Sequence, residues 1–160
     1  MDEESRNSVH VRVAERADVP VIVRLLVDDA LGAGREQLDG LVAPDYWVAF
    51  DAIAGQPGNE LLVAELDGVV VGCLQLTLIA GFSRRGATRA QVEGVRVAAQ
   101  QRSRGIGATL MRVAMERARA QGATLMQLTS DASRERARRF YEGLGFVASH
   151  VGMKRSLIDP

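Results

Sequence analysis

A glycine-containing loop that leads from an apolar strand into an amphipathic helix constrains this chain more than any other feature. The strand is predicted over residues 91–97, and apolar residues at helical spacing predict the helix over 105–121. A helix start has unpaired N–H groups and a partial positive charge, and glycine lets an anion approach the backbone closely. We therefore predict an anion site, suited to a diphosphate, in the loop Arg102-Ser103-Arg104-Gly105-Ile106-Gly107.

Two well-known phosphate-binding motifs do not match this loop. A P-loop needs Gly-Lys-Ser/Thr at its end, but Gly107 is followed by Ala108 and Thr109. The dinucleotide fingerprint needs a third glycine at the position of Leu110. One alternative stays open at this point: the glycines form only a tight turn and the arginines are solvated.

Charge and cysteine content limit the classes of partner. Lys and Arg together number 20, as do Asp and Glu, so the net charge is zero and any anion site must be local. One cysteine and two histidines argue against a disulfide framework and a metal site, and Cys73 lies among apolar neighbours, which predicts a buried, inert thiol. We expect no metal, no nucleic-acid partner, no membrane partner and a cytoplasmic location.

The pattern of elements predicts a single α+β (mixed α/β) domain over residues 9–160, preceded by a polar tail at 1–8. Asp67-Gly68 predicts a tight hairpin turn between strands at 61–66 and 69–79. A bulge is expected at Gly94, in the middle of a strand. Other predicted elements are a strand at 9–13, helices at 20–32 with an Asp18 cap and at 44–53, a loop at 81–89, a strand at 125–129, a helix ending at Gly145, and a final strand or hairpin at 146–157.

Two motifs together resemble the GNAT superfamily of N-acetyltransferases. Arg102-x-x-Gly105-x-Gly107, entered from Val95-x-Val97, resembles the motif that binds the pyrophosphate of acetyl-CoA. Ala137-x-x-Phe140-Tyr141-x-x-x-Gly145-Phe146 resembles the second signature of that family. The resemblance spans nearly the whole chain. Ser103, where glycine is frequent, and Arg134, where asparagine is common, depart from the usual pattern.

The resemblance implies a central mixed, mostly antiparallel sheet that is splayed between its fourth and fifth strands, with helices on both faces. Acetyl-CoA would enter the resulting cleft, where a backbone N–H near Val97 would bond the thioester carbonyl. Relatives often form homodimers. The residues implied in cofactor binding are Val95, Arg96, Val97, Arg102, Ser103, Arg104, Gly105, Ile106, Gly107, Ala108 and Ser133.

The resemblance also implies Tyr141 as the general acid for the departing thiolate, against the alternative of a tyrosine that only packs in the core. A phenol with a pKa near 10 is a weaker acid than a thiol with a pKa near 8.5, so complete proton transfer from the phenol to the thiolate is uphill by roughly 2 kcal/mol. A hydrogen bond from the phenol to the sulfur does not need that transfer. Glu93 lies on the cofactor strand, on the same face as Val95 and Val97 unless the bulge at Gly94 shifts it. It is a candidate base, with ammonium binding or plain solvation as the alternatives.

The sequence thus predicts an N-acetyltransferase that moves an acetyl group from acetyl-CoA to a primary amine of a small molecule or peptide, by direct transfer in a ternary complex. A catalytically silent CoA-binding regulatory domain and a general nucleotide binder are the alternatives. The acceptor would lie against segments 31–50 and 81–89, where Arg84, Arg85 and Arg89 hint at an acidic substituent.

Overall fold

The computed structural model describes residues 8–28 and 42–158. Residues 1–7 of the predicted tail, the predicted end of the first helix and residues 31–41 of the predicted acceptor-facing segment lie outside these ranges. The elements are β1 (His10–Val13), α1 (Val19–Val27), α2 (Pro44–Ala54), β2 (Asn59–Leu66), β3 (Val69–Ala80), the short turn α3 (Ser83–Gly86), β4 (Thr88–Val97), α4 (Ile106–Ala120), β5 (Ala123–Gln127) and α5 (Glu135–Gly143).

One five-stranded sheet has the order β1-β2-β3-β4-β5. Its pairs are antiparallel except for β4 and β5, which run parallel. Asp67 and Gly68, with φ of 52° and 77°, turn β2 directly into β3. Both central residues of the turn are left-handed, as a two-residue hairpin requires, so the predicted hairpin is confirmed.

β4 carries the predicted bulge. Glu93 pairs with Gln75 and Arg96 pairs with Cys73, so three steps along β4 match two steps along β3. Gly94, with φ of 61°, adopts the left-handed conformation at this point. A bulge inserts one residue and so reverses the facing of every side chain beyond it.

The splay between the fourth and fifth strands is confirmed. β5 pairs with β4 only from Thr88 to Gln91, whereas β3 stays paired with β4 as far as Val97. The last six residues of β4 therefore have an open edge about 20 Å long on the β5 side. This open edge lies where the resemblance implies a V-shaped cleft.

Helices cover both faces of the sheet. α4 packs on one face, where Ile106, Leu110 and Met111 are buried against Leu74 and Val92. α1 packs on the other face, against the buried side chains of β2 and β3 that include Val63 and Cys73. The mixed α/β architecture with helices on both faces is as predicted.

The structure places several element boundaries elsewhere than predicted. α1 ends at Val27, and the predicted end near Gly32 lies outside the described residues. β4 begins at Thr88 rather than at Gln91, because residues 88–90 pair with both neighbouring strands. The predicted loop over 81–89 contains the short turn α3. β5 ends at Gln127 rather than at Thr129, where its pairing with β4 stops.

The final strand predicted over residues 146–157 is also absent from the structure, since residues 144–158 contain no strand. Its apolar side chains beyond Phe146 are exposed, including Val151 at 89% and Met153 at 92%. Alternation of apolar and polar residues predicts a strand only where a partner strand and a core surface receive it.

Arg12 ties β1, β2 and the start of α1 together. Its guanidinium donates to both carboxylate oxygens of Asp18, at 2.6 and 3.0 Å, and to Glu65. Asp18 also accepts from the backbone N–H of Glu15, so its carboxylate bonds these groups rather than capping α1 as predicted. The hydrogen bonds from Arg12 hold the pKa of Asp18 below its ordinary value.

We expect Asp18→Asn to lower the free energy of unfolding by about 2 kcal/mol at pH 7, because it weakens charge-assisted hydrogen bonds at a nearly buried site. The native pKa of Asp18 lies below the value of 3.8 for a free carboxyl group, so its contribution is complete above that pH and is lost as the pH falls through the native pKa. Urea unfolding from pH 2 to 7 measures this.

Asp51→Asn is the control, since Asp51 pairs with Arg16 at an exposed site and should change stability little. Equal effects of the two substitutions at pH 7 would contradict this view of Arg12.

Candidate active site

The loop between β4 and α4 presents unbonded amides at the start of α4. Ser103 and Gly105 have φ of 65° and 79°, and these two left-handed residues turn the chain into the helix. Thr109 donates to the Gly105 carbonyl at 3.0 Å, as expected for the first N–H bonded within the helix. The amides of residues 106–108 therefore point outward from the helix start, and Gly105 has no side chain to cap them.

The two glycines of the loop serve different purposes. A Cβ built on Gly105 meets no atom within 4 Å, so the space beside it is open. A Cβ on Gly107 would lie 3.3 Å from Cζ of Phe140 and 3.7 Å from Cγ2 of Val97. Gly107 is thus needed for close packing of α4 on α5 and β4, whereas only Gly105 leaves room for an anion at the backbone.

The end of β4 directs a backbone amide into the cleft. The N–H of Ala98 donates to Val71 of β3 at 2.8 Å. Neighbouring residues of a strand direct their amides to opposite edges, so the N–H and C=O of Val97 face the open edge. The Val97 carbonyl accepts a hydrogen bond from Arg102, which also donates to the carbonyl of Asp28 at the end of α1.

Arginine side chains donate hydrogen bonds at the loop. Arg104 donates to the side-chain carbonyl of Gln101 at 2.6 Å, and Arg136 of α5 donates to the hydroxyl of Ser103 at 2.9 Å. The hydroxyl that Arg136 bonds is neutral, so the charge of Arg136 adds local positive potential beside the loop despite the zero net charge of the chain. Arg136 was not among the predicted site residues, because 33 positions of sequence separate it from Ser103.

Ser133 lies in an exposed turn just before α5. Its N–H and its hydroxyl both donate to the Asp131 carboxylate, at 2.9 and 2.6 Å. The contact between Arg136 and Ser103 brings the start of α5 beside the loop, and Ser133 lies three positions before Arg136.

Tyr141 is half-buried in the aromatic cluster of α5. Its ring packs edge-on against Phe140 and Phe146, with centroid distances of 5.1 and 5.9 Å. Burial raises the pKa of the phenol, and the positive charges of Arg134 and Arg96 oppose that rise. The phenol is therefore neutral at pH 7 and able to donate a hydrogen bond. The two guanidinium groups that act on it belong to Arg134, at the start of α5, and to Arg96 of β4.

Glu93 does not share a face with Val95 and Val97. Val92, Val95 and Val97 all pack with the core on the α4 side, which is possible only because the bulge at Gly94 reverses the alternation. Glu93 is exposed on the opposite face, beside Gln75 of β3. The exception allowed for in the prediction therefore applies: the extra residue of the bulge lies directly after Glu93 and turns it away from Val95 and Val97.

Cys73 is 2% exposed, and burial raises the pKa of its thiol to about 12, which fits the predicted inert thiol.

Within residues 8–28 and 42–158, no group of three or more His, Cys, Asp or Glu side chains could hold a metal ion. In the same described part of the chain, no helix has the length and apolar content needed to span a membrane.

Comparisons with known proteins agree on the fold. Residues 25–146 match the family model described as acetyltransferase (GNAT) family. A solved structure described as a transcriptional regulator from Bacillus halodurans C-125 is 41% identical, with a TM-score of 0.91 over 94% of this chain and 100% of that one. A putative acetyltransferase from Agrobacterium tumefaciens str. C58 is 26% identical, with a TM-score of 0.81 over 92% of this chain and 99% of that one.

Glucosamine-6-phosphate N-acetyltransferase from Arabidopsis thaliana, 18% identical, has the same fold with a TM-score of 0.76 over 94% of this chain and 99% of its own. A search of curated proteins finds no significant match to the sequence.

We expect Tyr141 to ionise at a higher pH than a free tyrosine, because burial disfavours the phenolate. The chain contains two tyrosines, so Tyr46→Phe leaves Tyr141 as the only phenol. Its phenolate absorbance, followed from pH 8 to the onset of alkaline unfolding, measures the pKa. A midpoint at or below that of N-acetyltyrosinamide would contradict the burial of this ring.

Proposed function

The chain belongs to the acetyltransferase (GNAT) family, and from this membership we propose that it is an N-acetyltransferase. In this proposal it moves an acetyl group from acetyl-CoA to a primary amine of a small molecule or peptide, directly, in a ternary complex. The observation that carries the proposal is the uncapped start of α4 beside the open edge of β4. A cytoplasmic location, predicted from the sequence, and a homodimer, implied by the family resemblance, also belong to the proposal.

The loop would bind the diphosphate of CoA. Three outward amides at residues 106–108 and the open space at Gly105 suit an anion with two charges. The charges of Arg102, Arg104 and Arg136 add to this attraction. The full set that we propose for CoA binding is Val95, Arg96, Val97, Arg102, Ser103, Arg104, Gly105, Ile106, Gly107, Ala108 and Ser133.

The open edge of β4 would hold the pantetheine arm and the thioester. The N–H of Val97, directed into the cleft, can donate to the thioester carbonyl oxygen as negative charge develops there. This donor is part of the sheet and needs no reorganisation, because β3 fixes the other edge of β4.

Tyr141 would stabilise the departing sulfur. Its raised pKa keeps the phenol protonated, so the hydroxyl can donate a hydrogen bond to the developing thiolate. The same raised pKa makes complete proton transfer from the phenol to a thiolate still less favourable than for a free tyrosine. We therefore assign Tyr141 the role of hydrogen-bond donor to the leaving group.

Glu93 would act on the amine. It lies on the face of the sheet opposite the core that contains Tyr141, so an acceptor reaching both groups must extend through the gap between β4 and β5. An exposed carboxylate at that place attracts an ammonium ion and can accept its proton through water.

One observation favours a second function, a CoA-binding regulatory domain without turnover. The 41% identical chain from Bacillus halodurans is described as a transcriptional regulator. Such a domain would keep the loop at residues 102–108 for CoA and would not need Tyr141 and Glu93 to act chemically.

Thiol release from acetyl-CoA in the presence of a panel of primary amines distinguishes the two functions. We expect release with at least one amine, and we expect Tyr141→Phe to lower kcat about tenfold or more with little change in CoA affinity, since it removes a hydrogen bond to the leaving group. Arg112→Gln, at an exposed position of α4 outside the proposed sites, is the control. CoA binding without product from any amine would support the regulatory domain.

A further inference from the structure

The face of the sheet that carries Glu93 has a regular arrangement of side chains, which we call the polar strip. Arg89, Gln91 and Glu93 alternate along β4 on this face, since Ala90 and Val92 between them are buried on the other. The neighbouring strands extend each row in register: Arg89 lies between Ile79 and Leu125, Gln91 between Thr77 and Gln127, and Glu93 beside Gln75.

The middle of the polar strip is neutral and held in place by hydrogen bonds. Gln127 donates to the side-chain carbonyl of Gln91 at 2.8 Å, across the parallel pair of strands. Gln75 and Thr77 both donate to the side chain of Asn59, at 3.0 and 3.1 Å. Amide groups fixed in this way offer hydrogen bonds to a ligand but cannot neutralise a charge.

The two ends of the polar strip carry opposite charges that the described residues leave uncompensated. Within residues 8–28 and 42–158, no carboxylate pairs with Arg89 and no basic group pairs with Glu93. Arg89 is half-buried and flanked by aliphatic Ile79 and Leu125, so its charge is less screened than that of a fully exposed arginine. A half-buried charge without a partner at a sheet face is costly, and an anionic ligand would relieve that cost.

We propose that the acceptor is a primary amine that also carries an anionic group, a carboxylate or a phosphate, which binds Arg89 while the nitrogen lies at Glu93. This inference rests on the proposed function and assigns a substrate class to its site. Arg89 is then a specificity-determining residue, four positions from Glu93 on the same face of one strand.

The spacing sets a minimum length for the acceptor. Four residues of β-strand span about 13 Å, and long side chains such as those of Arg89 and Glu93 can cover part of that distance when they extend towards a ligand. An α-amino group and its own carboxylate, separated by one carbon, are too close to reach both ends. An acceptor with several methylene groups between amine and anion fits the polar strip.

Acceptor series that differ in one group test the proposal. The amines are glycine, 6-aminohexanoate, 6-aminohexyl phosphate and hexylamine, with spermidine as an amine that has no anion. We expect KM for 6-aminohexanoate or the phosphate to be about tenfold or more below that for hexylamine, because a charge-assisted hydrogen bond is gained. Comparison of the carboxylate with the phosphate identifies the anion that is preferred.

Arg89→Gln should abolish this preference and leave KM for hexylamine unchanged, whereas Arg89→Lys should retain part of it. Arg112→Gln is the matched control, since it removes the same charge from the exposed side of α4. Thermal unfolding of each variant checks that it is folded. Equal KM values for 6-aminohexanoate and hexylamine, or an unchanged ratio in Arg89→Gln, would overturn the proposal.

Calorimetry with 6-aminohexanoate and 6-aminohexyl phosphate in the presence of CoA separates this inference from the proposed function, because binding needs no turnover. Binding of either that Arg89→Gln weakens, without thiol release from any amine, would support the polar strip and contradict the N-acetyltransferase. Acetylation of spermidine but of no anionic amine would support the enzyme and overturn the inference.

Discussion

The parting of β4 from β5 is the constraint on which the rest of the site depends. β4 keeps β3 as a partner along its whole length, but β5 accompanies it only from Thr88 to Gln91. Beyond Gln91, the backbone N–H and C=O groups on the β5 side of β4 have no partner strand. Buried or half-buried backbone groups need a hydrogen-bond partner. The cleft is therefore a place where a ligand can complete the sheet's hydrogen bonding, and the proposed function assigns that role to CoA.

The other wall of the cleft is held by contacts that exist without any ligand. The missing side chain of Gly107 lets Phe140 of α5 pack against the first turn of α4. Arg102 joins the end of β4 to the end of α1, and Arg136 joins α5 to Ser103. Because these contacts fix the loop beforehand, binding of an anion would lose little conformational entropy there.

Features that depend on local conformation could be predicted from the sequence. The sequence could predict the turn at Asp67-Gly68 and the bulge at Gly94, because both need positive φ values, which glycine adopts readily and aspartate tolerates in a tight turn. The hydrogen bond from Arg102 to the carbonyl of Asp28 could not be predicted, because the two residues are 74 positions apart and no local sequence pattern indicates such a contact. The bulge was expected, but the side to which it would direct Glu93 depends on the register with β3, which the sequence does not specify.

Calorimetric titration of CoA into Gly105→Ala and Gly122→Ala variants, beside the unaltered chain, tests the central claim most directly. Gly105 and Gly122 flank α4 with φ of 79° and 86°, and a Cβ on either meets no atom within 4 Å. Both substitutions should thus cost about 1 kcal/mol of stability. CoA should bind the unaltered chain and Gly122→Ala alike and should bind Gly105→Ala about tenfold or more weakly, since the new methyl group fills the space for the diphosphate. Absence of binding to the unaltered chain, or equal affinity for the two variants, would contradict it.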